Sequence, residues 1–389
     1  MKKYYIHIGA PKTGTSAIQY FLNNNRELLA QSGFYYPPHL VDNNGISSGN
    51  AEELFRAIKN GDSKSLMLLA HKFSVAEQDN VILSSEYLFF ADPEVVHEYF
   101  PSARIILYVR RQDFKIISAY GQEIKRMGNT LEPHCWLKKT LDGRKRGNHD
   151  YTRIDKWAKV YGEDNILVRP FENQQFSGGN IYSDFLDALG IRAKNSFNMP
   201  EKRINISYNS DAMEFKRLAN LLTGDKLLFD AELQNYSSIF PGDKYSFFSK
   251  QECLDIIRNY SEGNQHIAEK YLGRKDGKLF YDPMPNEGGD TRLYPGLTGE
   301  KVIEIADFVM VRSPGSIFIL QQGITNGLKS NVEKIKDVAD ILSPVLEIKC
   351  PVICMKRTNK ERIVRAMKKY LPLRVKRFLK RFVLHYIII

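Results

Sequence analysis

Cysteine is scarce in this sequence: Cys135, Cys253, Cys350 and Cys354 are the only four in 389 residues. They are scattered, and no histidine pair at ligand spacing accompanies Cys350 and Cys354. That argues against a zinc site or a disulfide scaffold and for reduced structural thiols. Long hydrophobic runs are missing too. No window approaches the roughly 18 apolar residues of a membrane span. The first apolar run, Tyr4 to Ile8, leads into a glycine loop rather than a cleavage site. The expectation is a cytoplasmic protein. There is no internal repeat.

The body of the chain also lacks a charge excess. The formal net charge is +11, but residues 348–389 hold thirteen Lys and Arg against one acid, Glu361, or +12. The first 347 residues hold 43 basic and 44 acidic side chains, or −1. A neutral body gives no support to nucleic-acid binding. With 43% hydrophobic and 12% aromatic residues, there is ample material for a buried core.

Short β-branched runs alternate with longer amphipathic stretches, which predicts an α/β fold with a mostly parallel sheet flanked by helices. Strands are expected at 4–8, 81–84, 104–109 and 166–168. Helices are expected at 16–22, 114–126, 153–161 and 180–189, with one long helix at 250–271 preceded by Ser246 and Ser249 and ending at Gly273, as a capped helix would. The Pro-, Gly- and Asp-rich stretch near 281–299 reads as a linker. The expected organisation is a domain over 1–285, a linker over 286–299 and a helical extension over 300–389.

Three polar motifs follow these strands. Gly9–Ser16 reads GAPKTGTS. The two glycines have the spacing of a nucleotide triphosphatase loop, G-x-x-x-x-G-K-[ST], but Thr15 stands where its lysine should be. The lysine is Lys12, inside the loop. Backbone N–H groups before a helix form an anion nest, and the helix dipole adds positive charge. Thr13, Thr15 and Ser16 can add hydroxyls. Ser84-Ser85-Glu86 closes the second predicted strand, and Arg110-Arg111 closes the third. Ligands of open α/β sheets bind beyond the carboxyl ends of the strands. No strand ends in a clear acid of the kind that helps a triphosphatase hold Mg²⁺. A lysine within the loop suits a single phosphate bearing another anionic group.

At these residues the chain resembles the sulfotransferases that use 3′-phosphoadenosine-5′-phosphosulfate (PAPS). The segment Pro11–Ser16, PKTGTS, is similar to their 5′-phosphosulfate loop. YVRRQDFKIISAY supplies an arginine at a strand end, Arg110, and a serine eight residues on, Ser118. The resemblance implies that both hold the donor's 3′-phosphate. ILVRPFEN, NIYSDFLDALGI and RINISYN resemble the bacterial Golgi-type relatives that sulfate polysaccharides. The similarity covers about residues 1–285. Many members have Asp-Pro where this chain has Arg111-Gln112, which leaves Arg110 and Ser118 in place.

The resemblance implies a P-loop-like fold and metal-independent transfer of a sulfuryl group from PAPS to a carbohydrate hydroxyl, in a polysaccharide or glycolipid. Lys12 would stabilise the leaving phosphate, and the loop from Thr13 through Gly14, Thr15 and Ser16 would hold the 5′-phosphate. A guanidinium such as Arg110 binds phosphate by a charged fork. The transfer needs a base for the acceptor proton, a task that the family gives to a glutamate or histidine. Glu86 is the first choice and His7 the second. Two other readings stand beside this one: a kinase-like phosphotransferase, separable by Mg²⁺ dependence, and a membrane-docked nucleotide-binding protein without turnover. In residues 359–389, apolar positions recur at helical spacing with basic residues opposite, interrupted by Pro372. Such a helix could lie on an anionic membrane surface, stay solvated or packed, or guide an anionic polysaccharide.

Overall fold

The computed structural model describes residues 2–42, 45, 47–144, 150–192, 197–200, 207–243, 245–285, 287 and 292–348. The basic amphipathic tail, Cys350, Cys354 and the start of the RINISYN segment lie outside them.

The chain divides into two compact units. One comprises Met1–Arg217 and Ser237–Gly296, the other Leu218–Tyr236 and Leu297–Ile389. The first unit is built on a five-stranded sheet of β1 (Lys3–Gly9), β2 (Phe34–Tyr35), β3 (Asn80–Ser84), β4 (Ala103–Val109) and β5 (Ile166–Pro170). Its order is β2-β3-β1-β4-β5, and every pairing is parallel. The α/β class read from the sequence is the class observed.

A parallel sheet covered on both faces reads as unbroken hydrophobic runs rather than an alternating pattern. On one face Ile6, Ile8, Leu83, Ile105 and Leu107 pack with Ile154 and Trp157. On the other, Ile82, Ile106 and Tyr108 pack with Ile18, Phe21, Leu22 and Phe185. Each fully buried Ile, Leu or Phe contributes about 1.5–3 kcal/mol relative to exposure. Because β1 is central, the elements that follow β1, β3 and β4 meet at one edge of the sheet. The chain turns to opposite sides of β1 there, at a switch point that leaves a crevice. The register between β1 and β4 shifts between His7 and Gly9, a bulge where β1 ends.

Two helices differ from expectation. Residues 250–271 form two helices, Lys250–Asn259 and Ser261–Leu272, with Tyr260 between them. Their buried residues serve different clusters: Ile256 and Tyr260 pack with Tyr120 and Trp136, whereas Ile267 and Ala268 join the sheet core. The capping was legible, since Ser249 and Glu252 make a reciprocal capping box and Gly273 adopts φ 65°. The helix expected at 114–126 is an α-helix over Gln112–Gln122 that widens to a π-turn over Glu123–Met127.

In the second unit, helices Gly299–Arg312, Pro314–Leu328 and Glu333–Leu342 bury Ile305, Val309, Ile317, Leu320, Ile324 and Leu342 completely. A Cβ on Gly327 would lie 2.8 Å from that of Ala339, so glycine lets the two helices approach closely.

Candidate functional site

The loop after β1 is held in a conformation that few sequences tolerate. Gly9, Lys12 and Gly14 all lie in the left-handed region, at φ 80°, 72° and 79°. For Lys12 this costs about 1–2 kcal/mol, and such strain persists where the surroundings fix it. Three contacts do so. The Thr13 hydroxyl, fully buried, donates to the Ala10 carbonyl at 2.6 Å. Arg110 Nη1 donates to the Lys12 carbonyl at 3.0 Å, and Lys12 Nζ donates to Gln122 Oε1. A Cβ on Gly14 would fall 2.6 Å from Ile181 and 2.7 Å from Phe171, so glycine is required there for space as well as for φ.

The helix Thr15–Asn24 begins with no side-chain cap and no acid in its first turn. Its opening N–H groups and dipole therefore favour an anion. Thr13 cannot offer its hydroxyl proton to a ligand, because Ala10 takes it; only its backbone is left for that role. Ser16 is half-buried at the helix start.

Glu86 opens the turn after β3. Its Oε2 accepts from the Thr15 hydroxyl at 3.0 Å, and its Cα would lie 2.9 Å from a Cβ on Gly9. Any side chain at Gly9 would push the carboxylate away from the loop. Burial holds the Lys12 ammonium below the usual lysine range, while the negative charge of Glu86 opposes that shift. Arg110 and Lys125 add to the lowering. Two further cations thus lie near Lys12, a crowding that a bound dianion would relieve. Arg110 packs its guanidinium 5.2 Å from the Phe171 ring centre and 5.9 Å from that of Phe114.

Thr15 is therefore bonded to Glu86 and Arg110 to the Lys12 carbonyl, and the charge of Glu86 acts on the Lys12 ammonium. Ser118 is half-buried on the helix Gln112–Gln122, one turn before Gln122, and residues four apart share a helix face. His7 takes a different place. It is fully buried, bonded to Ser84 Oγ at 2.9 Å and packed edge-on against Tyr108 and Phe185. Desolvation pushes its pKa down to about 3, so it is a neutral core residue.

Sequence reasoning missed Gln122, Lys125 and Phe171. The spacing from Ser118 to Gln122 could have revealed the first; nothing local marks the other two. Arg111, at the departure from the Asp-Pro pattern, is a structural anchor. It pairs with Asp113 at 2.9 Å and donates to the carbonyls of Asp282 and Pro283. Glu172 accepts from the backbone N–H groups of Tyr281 and Asp282. Together they pin the segment that composition alone marks as linker. Asn180 caps the helix Ile181–Ala188, and Asp184 binds Arg169 and Tyr108. Among the described residues, no three His, Cys, Asp or Glu side chains form a metal-holding group, and no helix is long and apolar enough to cross a membrane.

No family profile matches the chain. An uncharacterized protein of Archaeoglobus fulgidus is 26% identical over 183 residues, which is 45% of this chain and 47% of that protein. The chain spans about half the length of that curated relative. Among solved structures, a sulfotransferase from Alicyclobacillus acidocaldarius is similar at 15% identity and a TM-score of 0.36, over 62% of this chain and 97% of its own. At that level neither likeness bears on what this chain binds.

Proposed function

We propose that this chain transfers a sulfuryl group from PAPS to a hydroxyl of a carbohydrate acceptor. The observation that carries the reading is the convergence of Lys12 and Arg110 on one strained loop, with the Glu86 carboxylate held beside it by Thr15. The loop amides and the helix start would seat the 5′-phosphate, with Arg110 and Ser118 at the 3′-phosphate. As the acceptor oxygen bonds to sulfur, its proton passes to Glu86. The bond from sulfur to the bridging phosphate oxygen breaks, and Lys12 meets the charge that develops there. The tail beyond the described residues is proposed to guide the chain to an anionic membrane surface.

The product nucleotide, 3′-phosphoadenosine-5′-phosphate, is expected to bind in the micromolar range by calorimetry in EDTA. Arg110→Ala should raise the donor KM and erase the preference for a 3′-phosphate over its absence. Good binding of ATP with Mg²⁺, without binding of the bisphosphate, would point instead to a phosphotransferase.

A further inference from the structure

The helix that carries Ser118 and Gln122 does not end as an α-helix, and its last turn directs inward a lysine with no role in the site described so far. Over Glu123–Met127 the helix widens to a π-turn. Such single turns are rare and recur at functional sites. This one is held from several sides. The Gly128 N–H, at φ 73°, donates to the Glu123 carbonyl across the turn. Trp136 Nε1 donates to Glu123 Oε2 at 2.7 Å. Ile124 is fully buried in a cluster with Tyr120, Trp136 and Phe248. The turn sends its two basic side chains to different places. Arg126 is exposed, whereas Lys125 is half-buried. The Lys125 ammonium lies 5.2 Å from the centre of the buried Tyr208 ring, a face that steadies a cation.

Lys125 also belongs to the surroundings of Lys12. Gln122, three residues before it, accepts from the Lys12 ammonium. Burial lowers the pKa of that ammonium most, Glu86 opposes the shift, and Arg110 and Lys125 lower it further. The two last cations reach Lys12 at different ends. Arg110 bonds its carbonyl at 3.0 Å, whereas Gln122 and the turn behind it stand at the side-chain end. In the functional reading, the loop amides seat the 5′-phosphate and Lys12 Nζ meets the bridging oxygen. What continues past that oxygen is the sulfonate, and none of the residues assigned above holds it. An ammonium suits this group better than a guanidinium does. Its three oxygens leave with the sulfur, and lysine binds as a point charge on a flexible stem rather than by a fixed fork.

We propose that Lys125 is a donor-binding residue that takes the sulfonate oxygens of PAPS, leaving the loop amides and Lys12 to the phosphate and the bridging oxygen. The proposal rests on the functional reading above and adds a residue that discriminates the charged donor from its spent product. The test is calorimetry on the full chain in EDTA, without acceptor, titrated with PAPS and separately with 3′-phosphoadenosine-5′-phosphate. Lys125→Gln is expected to weaken PAPS relative to the bisphosphate by about tenfold, the scale of one hydrogen bond between charged groups. Lys125→Arg should keep part of the discrimination. Arg126→Gln removes the same charge one residue on and should leave the ratio of the two affinities unchanged. Each variant's bisphosphate affinity reports whether it has folded, and the ratio does not move with a merely structural loss. Failure of the wild type to bind the bisphosphate overturns the functional reading. Normal bisphosphate binding with a ratio unmoved by Lys125→Gln, or moved equally by Arg126→Gln, overturns the assignment of Lys125 alone.

Discussion

Replacing Glu86 by glutamine is expected to lower turnover about 10²–10⁴-fold, the usual span for a lost general base, while bisphosphate affinity stays near that of the wild type. The amide keeps the shape of the carboxylate and can still accept from the Thr15 hydroxyl, which now bonds Glu86 at 3.0 Å. The loop should therefore keep its form. What is lost is the group proposed to take the acceptor proton, and with it the negative charge facing Lys12. His7 offers no substitute, since it is sealed in the core and neutral. Single-turnover kinetics at saturating acceptor is the measurement. Wild-type rates would remove Glu86 from the mechanism.

Lys12→Ala should reduce kcat about 10²–10³-fold, the loss typical when one preorganised donor to a developing anion is removed. The donor KM should change far less, because the ammonium matters most as the phosphate leaves. Arg110→Ala is the contrast: its guanidinium holds the loop carbonyl and stacks on Phe171, which are ground-state contacts. Lys12 also bonds Gln122. Gln122→Ala separates the two effects, because it removes that bond and keeps the charge. Steady-state kinetics on the three variants decides the division. If Lys12→Ala weakened donor binding alone, with kcat intact, its role would be binding and not catalysis.

The central strands were legible because each is a short β-branched run with a polar stop, and the motifs at their ends declared a shared edge. The loop after the first strand singles out Lys12, and the end of β3 together with the family resemblance singles out Glu86. The two-residue β2 could not be found, since Phe34–Tyr35 is too short to show a period. The break at Tyr260 was hidden as well: the apolar spacing runs on across it, and only tertiary packing shows that each half faces a different cluster. Thr13 misled for another reason. A threonine in an anion loop reads as a ligand hydroxyl, but position in the sequence does not show which way an O–H turns. Here it turns inward to Ala10. Phe171 was out of reach, because its partners come from segments far apart in the chain.

The central position of β1 also bears on how the molecule assembles. His7 meets Ser84 across 77 residues, and Arg110 meets Lys12 across 98. Closing loops of that length loses chain entropy before any hydrogen bond repays it, and such distant parallel pairing is slow to form. The strand that comes first in this sheet is thus among the last to acquire its neighbours. During synthesis β1 should remain unpaired until β3 and β4 have emerged, its hydrophobic run open to chaperones or to other chains. Pulse-labelled hydrogen exchange during refolding would contradict this order if the β1 amides were protected before those of β4.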